Sequence, residues 1–202
     1  LEELQQLFGN SLSSSNPLLN QVTAHIRRRT GKMMRPMLVL LTAKLYGEIT
    51  TTTHHAAVAL ELLHTASLVH DDVVDESDER RGQPSVNAVF NNKVAVLTGD
   101  YILSTALLQV ALTENFPIFN VVSRLGKDLA DGELLQLSNV SNMQSSIDTY
   151  FEIIRKKTAV LFEACTKSGA LSVTNDDEKV EKARKLGEYI GLCFQIKDDI
   201  FD

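Results

Sequence analysis

The chain has 202 residues, 44% of them hydrophobic and 23% charged, so it is long and apolar enough for one globular domain with a sizeable core. Its formal net charge of -6 argues against nucleic acid as a partner, because nucleic-acid-binding surfaces are basic. It contains neither an uncharged apolar run of membrane-spanning length nor an N-terminal signal segment, so we predict a cytoplasmic protein with no transmembrane segment.

The first predicted elements surround a basic segment. A short amphipathic helix over residues 1–8 is predicted to stop at Gly9, and Asn16-Pro17 starts a second helix that runs to about Arg29. Residues 27–36 then read Arg-Arg-Arg-Thr-Gly-Lys-Met-Met-Arg-Pro. Taken alone, this pattern is typical of a solvated basic turn between helices. In an acidic chain it is also a natural seat for a diphosphate group.

A long apolar helix follows and ends in acids. An apolar helix over residues 35–46 closes at Gly47, and the next helix runs from His54 to Val74 without Gly or Pro. At its end Asp71 and Asp75 stand one turn apart on the same face. Acids at a helix C-terminus oppose the helix macrodipole, so we expect a cation to compensate them. Carboxylate oxygens are ligands that suit Mg²⁺.

The middle of the chain alternates apolar helices with short polar connections. A charged loop over residues 77–84 carries Arg80 and Arg81 directly after the acidic helix end. Further helices are predicted over residues 93–114, 117–140 and 145–170, and after a bend at 172–177.

The composition of these helices predicts how they pack. We expect Asp100 to be a buried, hydrogen-bonded acid and the two cysteines, Cys165 and Cys193, to be buried free thiols. Neither strand-like alternation nor an internal repeat is present. The sequence therefore predicts an all-α helical bundle around a central apolar cavity.

The final helix repeats the acidic pattern. Asp198, Asp199 and Asp202 have the same spacing as the acids at the end of the first long helix. One such cluster is often only a solvated helix end, but two on separate apolar helices are more informative. Mg²⁺ takes one or two protein carboxylates and completes its shell with water and phosphate oxygens. The two clusters therefore suggest a diphosphate held between them through Mg²⁺.

The paired D-D-x-x-D motifs, with Arg80-Arg81-Gly82 after the first, resemble those of the trans-isoprenyl diphosphate synthases, the polyprenyl synthetase family. The resemblance covers essentially the whole chain. It implies an isoprenoid-synthase-type bundle, a homodimer, and a Mg²⁺-dependent transfer of isopentenyl diphosphate onto an allylic diphosphate. The family's catalytic chains continue past the second motif, so we expect residues 1–202 to be one domain that lacks the C-terminal helices.

The resemblance also implies a role for each residue that matches a family motif. Four residues would bind isopentenyl diphosphate: Lys32, Arg35, His64 and Arg81. Three would contact the allylic diphosphate: Arg80, Lys157 and Thr158. Gln195 would be a further substrate-binding residue, and the ligands of Mg²⁺ would be Asp71, Asp72, Asp75, Asp198, Asp199 and Asp202. Glu133 and Gln136 resemble residues of a family helix that lines the cavity, with no role assigned.

The implied chemistry is electrophilic and needs no serine, cysteine or histidine nucleophile. The Mg²⁺ ions bound by the aspartates, helped by Arg80 and Lys157, neutralise the allylic diphosphate as it leaves, and the double bond of isopentenyl diphosphate attacks the allylic cation. In the family the departing diphosphate is thought to take the final proton. An apolar wall would keep water from the cation.

Two small residues before the first motif bear on product length. Ser67 lies one helical turn before Asp71, and Ala66 occupies the position five before it, which is often aromatic in short-chain members of the family. Both residues indicate an open tunnel and a long-chain polyprenyl product. Geranylgeranyl diphosphate stays open as an alternative.

Two rival functions are compatible with parts of this pattern. A class I terpene cyclase also ionises a prenyl diphosphate on aspartate-bound Mg²⁺, but it needs no second diphosphate site such as Lys32, Arg35, His64 and Arg81. A non-catalytic subunit of a heteromeric prenyl synthase tends to lose its aspartates, whereas both motifs are complete here.

Overall fold

The structure, a computed structural model, describes residues 2–28, 33–80, 82–142 and 146–201. Ten α-helices lie in these ranges: α1 Glu2–Ser11, α2 Pro17–Arg28, α3 Met34–Tyr46, α4 Thr51–Val74, α5 Val86–Phe90, α6 Asn92–Ala111, α7 Phe116–Asn142, α8 Ile147–Ile154, α9 Val160–Leu171 and α10 Asp177–Phe201. A π-helical turn, Arg155–Ala159, connects α8 to α9, and a two-residue hairpin pairs β1 Glu79–Arg80 with β2 Gln83–Pro84. The predicted all-α class is confirmed.

The central helix of the bundle is α4. Residues 56–60 are all fully buried, whereas a helix with one apolar face would expose part of such a run. α4 packs against α3, α6, α7 and α9. A capping box starts it, because Thr50 Oγ1 accepts from Thr53 N at 3.3 Å and Thr53 Oγ1 accepts from Thr50 N at 3.1 Å. The core therefore fixes where the acidic end of α4 lies.

The neighbour with the most apolar sequence is α6. Among the residues that the structure describes, it is the one helix that is long and apolar enough to cross a bilayer by length and composition. In this structure α6 lies along α4, and Ala95, Ile102 and Ala106 are fully buried in the shared core. Packing inside the bundle therefore accounts for these apolar residues.

The helix predicted over residues 145–170 is interrupted in the structure by a π-helical turn. Residues 145–170 were expected to form a single helix, but α8 and α9 are separated by the π-turn. A π-turn hydrogen-bonds residues five apart and so accommodates one extra residue within a helical path. Hydrophobic periodicity alone does not reveal such an insertion, because the apolar spacing changes by a single residue.

The loop after α4 also contains more structure than expected. The antiparallel hairpin pairs Glu79 with Pro84 and Arg80 with Gln83. Gly82 has a φ of 73°, which only glycine adopts without strain. The Ser85 hydroxyl accepts a hydrogen bond from Ala88 N at 3.3 Å and caps α5, which the sequence analysis does not predict.

Three local predictions are also wrong. α1 continues through the buried Gly9 to Ser11, whose hydroxyl donates to Phe8 O at 2.7 Å. Asp100 is exposed instead of buried and lies 3.3 Å from His70 Nε2. Cys165 is buried as expected, and burial raises the pKa of its thiol to about 12, but Cys193 is exposed. For Asp100 and Cys193, tertiary packing decides which face of the helix is covered.

Close packing of α10 depends on two glycines. A Cβ atom on Gly191 would lie 2.5 Å from Ala159 Cα, and one on Gly187 would lie 2.6 Å from Phe162 O. These distances are shorter than a carbon side chain tolerates, so α10 rests directly on the backbone of the π-turn and α9. The glycines thereby determine how near the second acidic motif comes to the π-turn.

We expect Gly191→Ala to lower the free energy of unfolding by about 1–3 kcal/mol, because the new methyl group must push α10 away from Ala159. Urea denaturation followed by circular dichroism measures this change. Gly126→Ala is the matched control, since its methyl group would approach Leu63 Cδ1 only to 3.9 Å. The control should be neutral or should stabilise α7 by up to about 1 kcal/mol. Equal effects of both substitutions would contradict the packing argument.

Candidate functional site

A cavity of about 530 Å³ lies between α3, α4, α6, α7, the π-turn, α9 and α10. Its volume is within the usual range for small-molecule sites. Its polar lining includes seven of the predicted site residues: Arg35, His64, Asp71, Arg80, Lys157, Thr158 and Gln195. The remainder is mostly apolar and includes Leu63, Leu103, Leu129 and Leu161. The cavity is therefore suited to a ligand with a charged head and a hydrocarbon tail.

The three acids of the first motif have different surroundings. Asp71 is half-buried and lines the cavity. The Asp72 side chain is only 2% exposed, and its Oδ1 accepts a hydrogen bond from Arg80 Nε at 2.5 Å. Asp75 is exposed and forms the C-cap of α4. Asp72 and Arg80 therefore compensate each other, and Arg80 occupies the Oδ1 atom of Asp72.

The electrostatic environment of Asp71 is unfavourable to its charge. Burial raises the pKa of the Asp71 carboxyl to about 6, and the nearby Glu133 carboxylate adds to this increase. The cations of Lys157 and Arg80 lower the same pKa but do not cancel the increase. The ionised form of Asp71 is therefore disfavoured, mainly because the carboxyl is withdrawn from water.

The π-turn directs two neighbouring lysines to different sides. Lys157 points to the cavity, where its Nζ lies 2.6 Å from Glu133 Oε1 and donates to Gln136 Oε1 at 2.8 Å. Lys156 Nζ instead lies 2.7 Å from Asp131, which is exposed. Of these two lysines, Lys157 is therefore the one that is placed to contact a ligand in the cavity.

A hydrogen-bond chain connects the π-turn to the second acidic motif. Thr158 Oγ1 donates to Gln195 Oε1 at 2.7 Å, and Gln195 Nε2 donates to Asp199 Oδ1 at 2.8 Å. The Tyr150 hydroxyl of α8 donates to the other oxygen, Asp199 Oδ2, at 2.5 Å. Asp198 is exposed on the same end of α10. Asp199 is therefore held in place from two sides.

Both residues expected to influence product length line the cavity. Ala66 is 1% exposed and Ser67 is half-buried, with its hydroxyl donating to His64 O at 2.9 Å. Since Ala66 lies about 100° round the helix from Ser67, the cavity is wide enough to meet two faces of α4. Arg35 lines the same cavity and stacks over the Phe162 ring at 5.7 Å.

Three predicted site residues lie outside the residues that the structure describes. They are Lys32, Arg81 and Asp202.

Sequence reasoning missed two functional contacts that the structure brings together. The sequence analysis assigns no role to Tyr150, which contacts Asp199 across α8 and α10. It also leaves Glu133 and Gln136 without a role, although their spacing of three residues places them on one face of α7. That spacing was a usable signal for a shared partner, whereas nothing in the sequence identifies Tyr150.

The donor set at the polar end fits Mg²⁺. Within the described ranges there is no group of three or more His, Cys, Asp or Glu side chains that could hold a metal ion without other ligands. Mg²⁺ does not need one, since it binds through one or two carboxylates and completes its shell with water and phosphate. Burial, and after it the Glu133 carboxylate, raises the pKa of Asp71, and a divalent cation at this carboxylate would favour its ionised form.

Comparison with known proteins agrees with this geometry. The polyprenyl synthetase family model matches residues 16–202. Octaprenyl diphosphate synthase of Haemophilus influenzae is 38% identical over 203 residues, which cover 100% of this chain and 61% of that protein.

Two solved structures are also similar. Geranylgeranyl pyrophosphate synthase from Bacteroides thetaiotaomicron is 56% identical with a TM-score of 0.83, covering 99% of this chain and 60% of that one. Polyprenyl synthase from Caulobacter crescentus, solved with calcium and isoprenyl diphosphate, is 33% identical with a TM-score of 0.94, covering 98% and 60%. The chain thus spans about three fifths of the length of these relatives.

The raised pKa of Asp71 predicts a pH-dependent gain in stability for Asp71→Asn. Because the folded protein holds the Asp71 proton more tightly than the unfolded chain does, wild-type stability falls as pH rises from about 4 through about 6. The full shift would correspond to about 3 kcal/mol, which partial exposure reduces to about 1 kcal/mol. Urea denaturation in EDTA should therefore show Asp71→Asn more stable than wild type at pH 7.5, with a smaller difference at pH 4.5. A difference independent of pH would refute this environment for Asp71.

Proposed function

Because the chain belongs to the polyprenyl synthetase family, we propose that it is a Mg²⁺-dependent trans-polyprenyl diphosphate synthase that condenses isopentenyl diphosphate with an allylic diphosphate. The observation that carries this proposal is that one cavity is lined both by cationic and acidic side chains and by several leucines. A prenyl diphosphate has the same two kinds of surface, in its charged head and its apolar tail. We also take residues 1–202 to form one prenyl synthase domain.

The charged end supports binding of two diphosphates. Lys157 and Thr158 converge with Gln195 beside the acids, which is where an allylic diphosphate would lie. Arg35 and His64 reach the same cavity from α3 and α4 and would bind isopentenyl diphosphate together with Lys32 and Arg81. The Caulobacter crescentus structure contains both a divalent cation and isoprenyl diphosphate, which supports a metal-bound prenyl ligand in this family.

In the proposed mechanism, residues of this chain stabilise charge separation. Mg²⁺, held by Asp71 and Asp75 of the first motif and by Asp198, Asp199 and Asp202 of the second, would neutralise the departing diphosphate when bound. The Lys157 ammonium donates to the diphosphate as its bond to the allylic carbon breaks, so negative charge on the leaving oxygens is compensated.

The second half of the reaction takes place against the apolar wall. Arg35 and His64 orient isopentenyl diphosphate so that its double bond meets the allylic carbon. The cation that forms then loses one proton to the departing diphosphate, which restores a double bond. Leu103 and Leu129 keep water away from the cation. Asp72 and Arg80 stabilise the end of α4 for as long as they stay paired.

We further propose a cytoplasmic homodimer. α6 and the start of α7 expose large apolar side chains, including Leu97 at 69%, Leu108 at 65% and Phe116 at 71%. An exposed apolar surface of this kind is typical of a protein interface. A second copy of the chain would cover it.

The product we propose is longer than farnesyl diphosphate. Ala66 and Ser67 leave the cavity open next to Asp71, and the Haemophilus influenzae relative is named for an eight-unit product. Geranylgeranyl diphosphate is the second candidate, since the Bacteroides thetaiotaomicron structure at 56% identity is named for it. The residues at the floor of the cavity, and not those that contact the diphosphate, would determine which of these two chain lengths is reached.

The two rival functions are less consistent with the site. A class I terpene cyclase has no need for the additional cation of Arg35 and for His64 in the cavity. A non-catalytic subunit has no need to hold Asp199 by two hydrogen bonds or to place Lys157 in the cavity.

We expect the protein with Mg²⁺, farnesyl diphosphate and isopentenyl diphosphate to form longer prenyl diphosphates, and Asp71→Ala to abolish the condensation. The reason is that Asp71 is the acid of the first motif that lines the cavity. Product formation from radiolabelled isopentenyl diphosphate measures the effect, and circular dichroism checks that the fold is retained. Wild-type turnover by a folded Asp71→Ala protein would exclude the metal-binding role. A cyclised, isopentenyl-independent product would indicate a terpene cyclase instead.

Ala66→Phe and Ser67→Phe should each shorten the product without preventing the first condensation, because a phenyl ring at either position fills the cavity beyond Asp71. Thin-layer chromatography of dephosphorylated products measures chain length. Ser123→Phe is the control, since Ser123 is exposed on α7 and lies away from the cavity wall. Unchanged product length in both cavity variants would mean that the tail follows another path.

A further inference from the structure

Two lysine–carboxylate pairs connect α7 to the π-turn. On the outer side Lys156 Nζ lies 2.7 Å from Asp131 and 3.2 Å from Glu152. On the cavity side Lys157 Nζ lies 2.6 Å from Glu133. Gly132, between the two acids, permits this close approach, because a Cβ there would lie 3.0 Å from Lys156 Cβ and 3.3 Å from Lys157 Cγ. Both pairs thus connect the same two elements, and they differ mainly in that one faces the cavity and the other faces the outer surface.

The inner pair differs from the outer pair in its surroundings. The two lysines are similarly exposed, at 29% and 31%, but Glu133 is only 22% exposed whereas Asp131 is 57% exposed, so the inner pair is better shielded from water and its attraction is stronger. The second acceptor of Lys157 is the neutral Gln136 Oε1 at 2.8 Å, whereas that of Lys156 is the exposed Glu152 carboxylate. An ammonium group has three N–H donors, so two protein acceptors leave one donor for a ligand in the cavity.

We propose that Glu133 and Gln136 are positioning residues that hold the Lys157 ammonium in place for a substrate diphosphate. This inference rests on the proposed function, since it assumes that a diphosphate occupies the polar end of the cavity. A lysine side chain has four rotatable bonds, and a ligand that must immobilise it loses affinity because conformational entropy is lost on binding. Because Glu133 and Gln136 order Lys157 beforehand, the diphosphate does not bear that cost.

Simple electrostatics leads to the opposite expectation, which makes the inference testable. Removing the Glu133 charge from an anion site should by itself strengthen diphosphate binding. If Glu133 acts by positioning, Glu133→Ala weakens binding, whereas Glu133→Gln keeps an acceptor oxygen for Lys157 and retains binding. The two substitutions remove the same charge and differ in whether they can still orient the lysine.

The experiment measures binding of inorganic pyrophosphate in the presence of Mg²⁺ by isothermal titration calorimetry. We expect Glu133→Ala to weaken the affinity about tenfold, as expected for releasing one long side chain, and Glu133→Gln to stay within about threefold of wild type. In steady-state assays Glu133→Ala should lower kcat and leave KM for isopentenyl diphosphate unchanged. Asp131→Ala, which breaks the outer pair, is the matched control and should alter neither quantity.

A double-mutant cycle with Lys157→Met separates positioning from a general structural effect. The loss caused by Glu133→Ala should disappear once Lys157 is gone, because the two residues act as a unit. Gln136→Ala provides a second, independent variant with a smaller loss of affinity, and it serves if Glu133→Ala does not fold by circular dichroism.

The possible outcomes distinguish this inference from the proposed function. The positioning role alone is overturned if the wild-type protein binds pyrophosphate and both Glu133→Ala and Gln136→Ala bind it equally well or more tightly. It is also overturned if Glu133→Ala causes the same loss of affinity in the Lys157→Met background as in the wild-type background. Failure of the wild-type protein to bind pyrophosphate with Mg²⁺ overturns the proposed function, and the positioning role falls with it.

Discussion

The structure depends on negative charge held at the C-terminal end of a helix whose middle is buried on every side. The dipole of α4 disfavours carboxylates at that end, and burial next to Asp71 makes them more costly still. The protein responds with cations from separate elements: Arg80 from the hairpin compensates Asp72, and Lys157 from the π-turn faces Asp71. A divalent cation at Asp71 would offset the cost of burying this carboxylate.

Backbone contact between helices makes this arrangement of charges rigid. Gly191 lets α10 touch the π-turn, and Gly132 lets α7 approach it from the other side. The π-turn is therefore confined between two helices while it carries Lys157 and Thr158. π-turns occur frequently at functional sites, where the extra residue redirects side chains. Here it directs Lys157 inward and leaves Lys156 on the exposed surface.

Much of the site could be predicted because its signals are local. Continuous apolar composition indicates a buried α4, and the spacing of Asp71 and Asp75 follows from the helical period. The helical wheel does not say which acid faces a cavity, so it could not distinguish Asp71 from Asp72, whose partner Arg80 arrives through a hairpin. The π-turn, the contact of Tyr150 with Asp199 and the exposure of Cys193 likewise depend on packing between distant segments. Sequence periodicity has no access to such contacts.

The hydrogen-bond chain from Thr158 to Asp199 has a direction that only an amide can support. Gln195 accepts through Oε1 from Thr158 and donates through Nε2 to Asp199, so its two ends have opposite polarity. A carboxylate at this position would face Asp199 with like charge, and an aliphatic side chain would offer neither contact. Residue 195 is therefore constrained by its neighbours as much as by any ligand. A rotation of the Thr158 side chain would remove the bond that fixes this amide, and with it one of the two bonds that hold Asp199 of the second acidic motif would lose its fixed orientation.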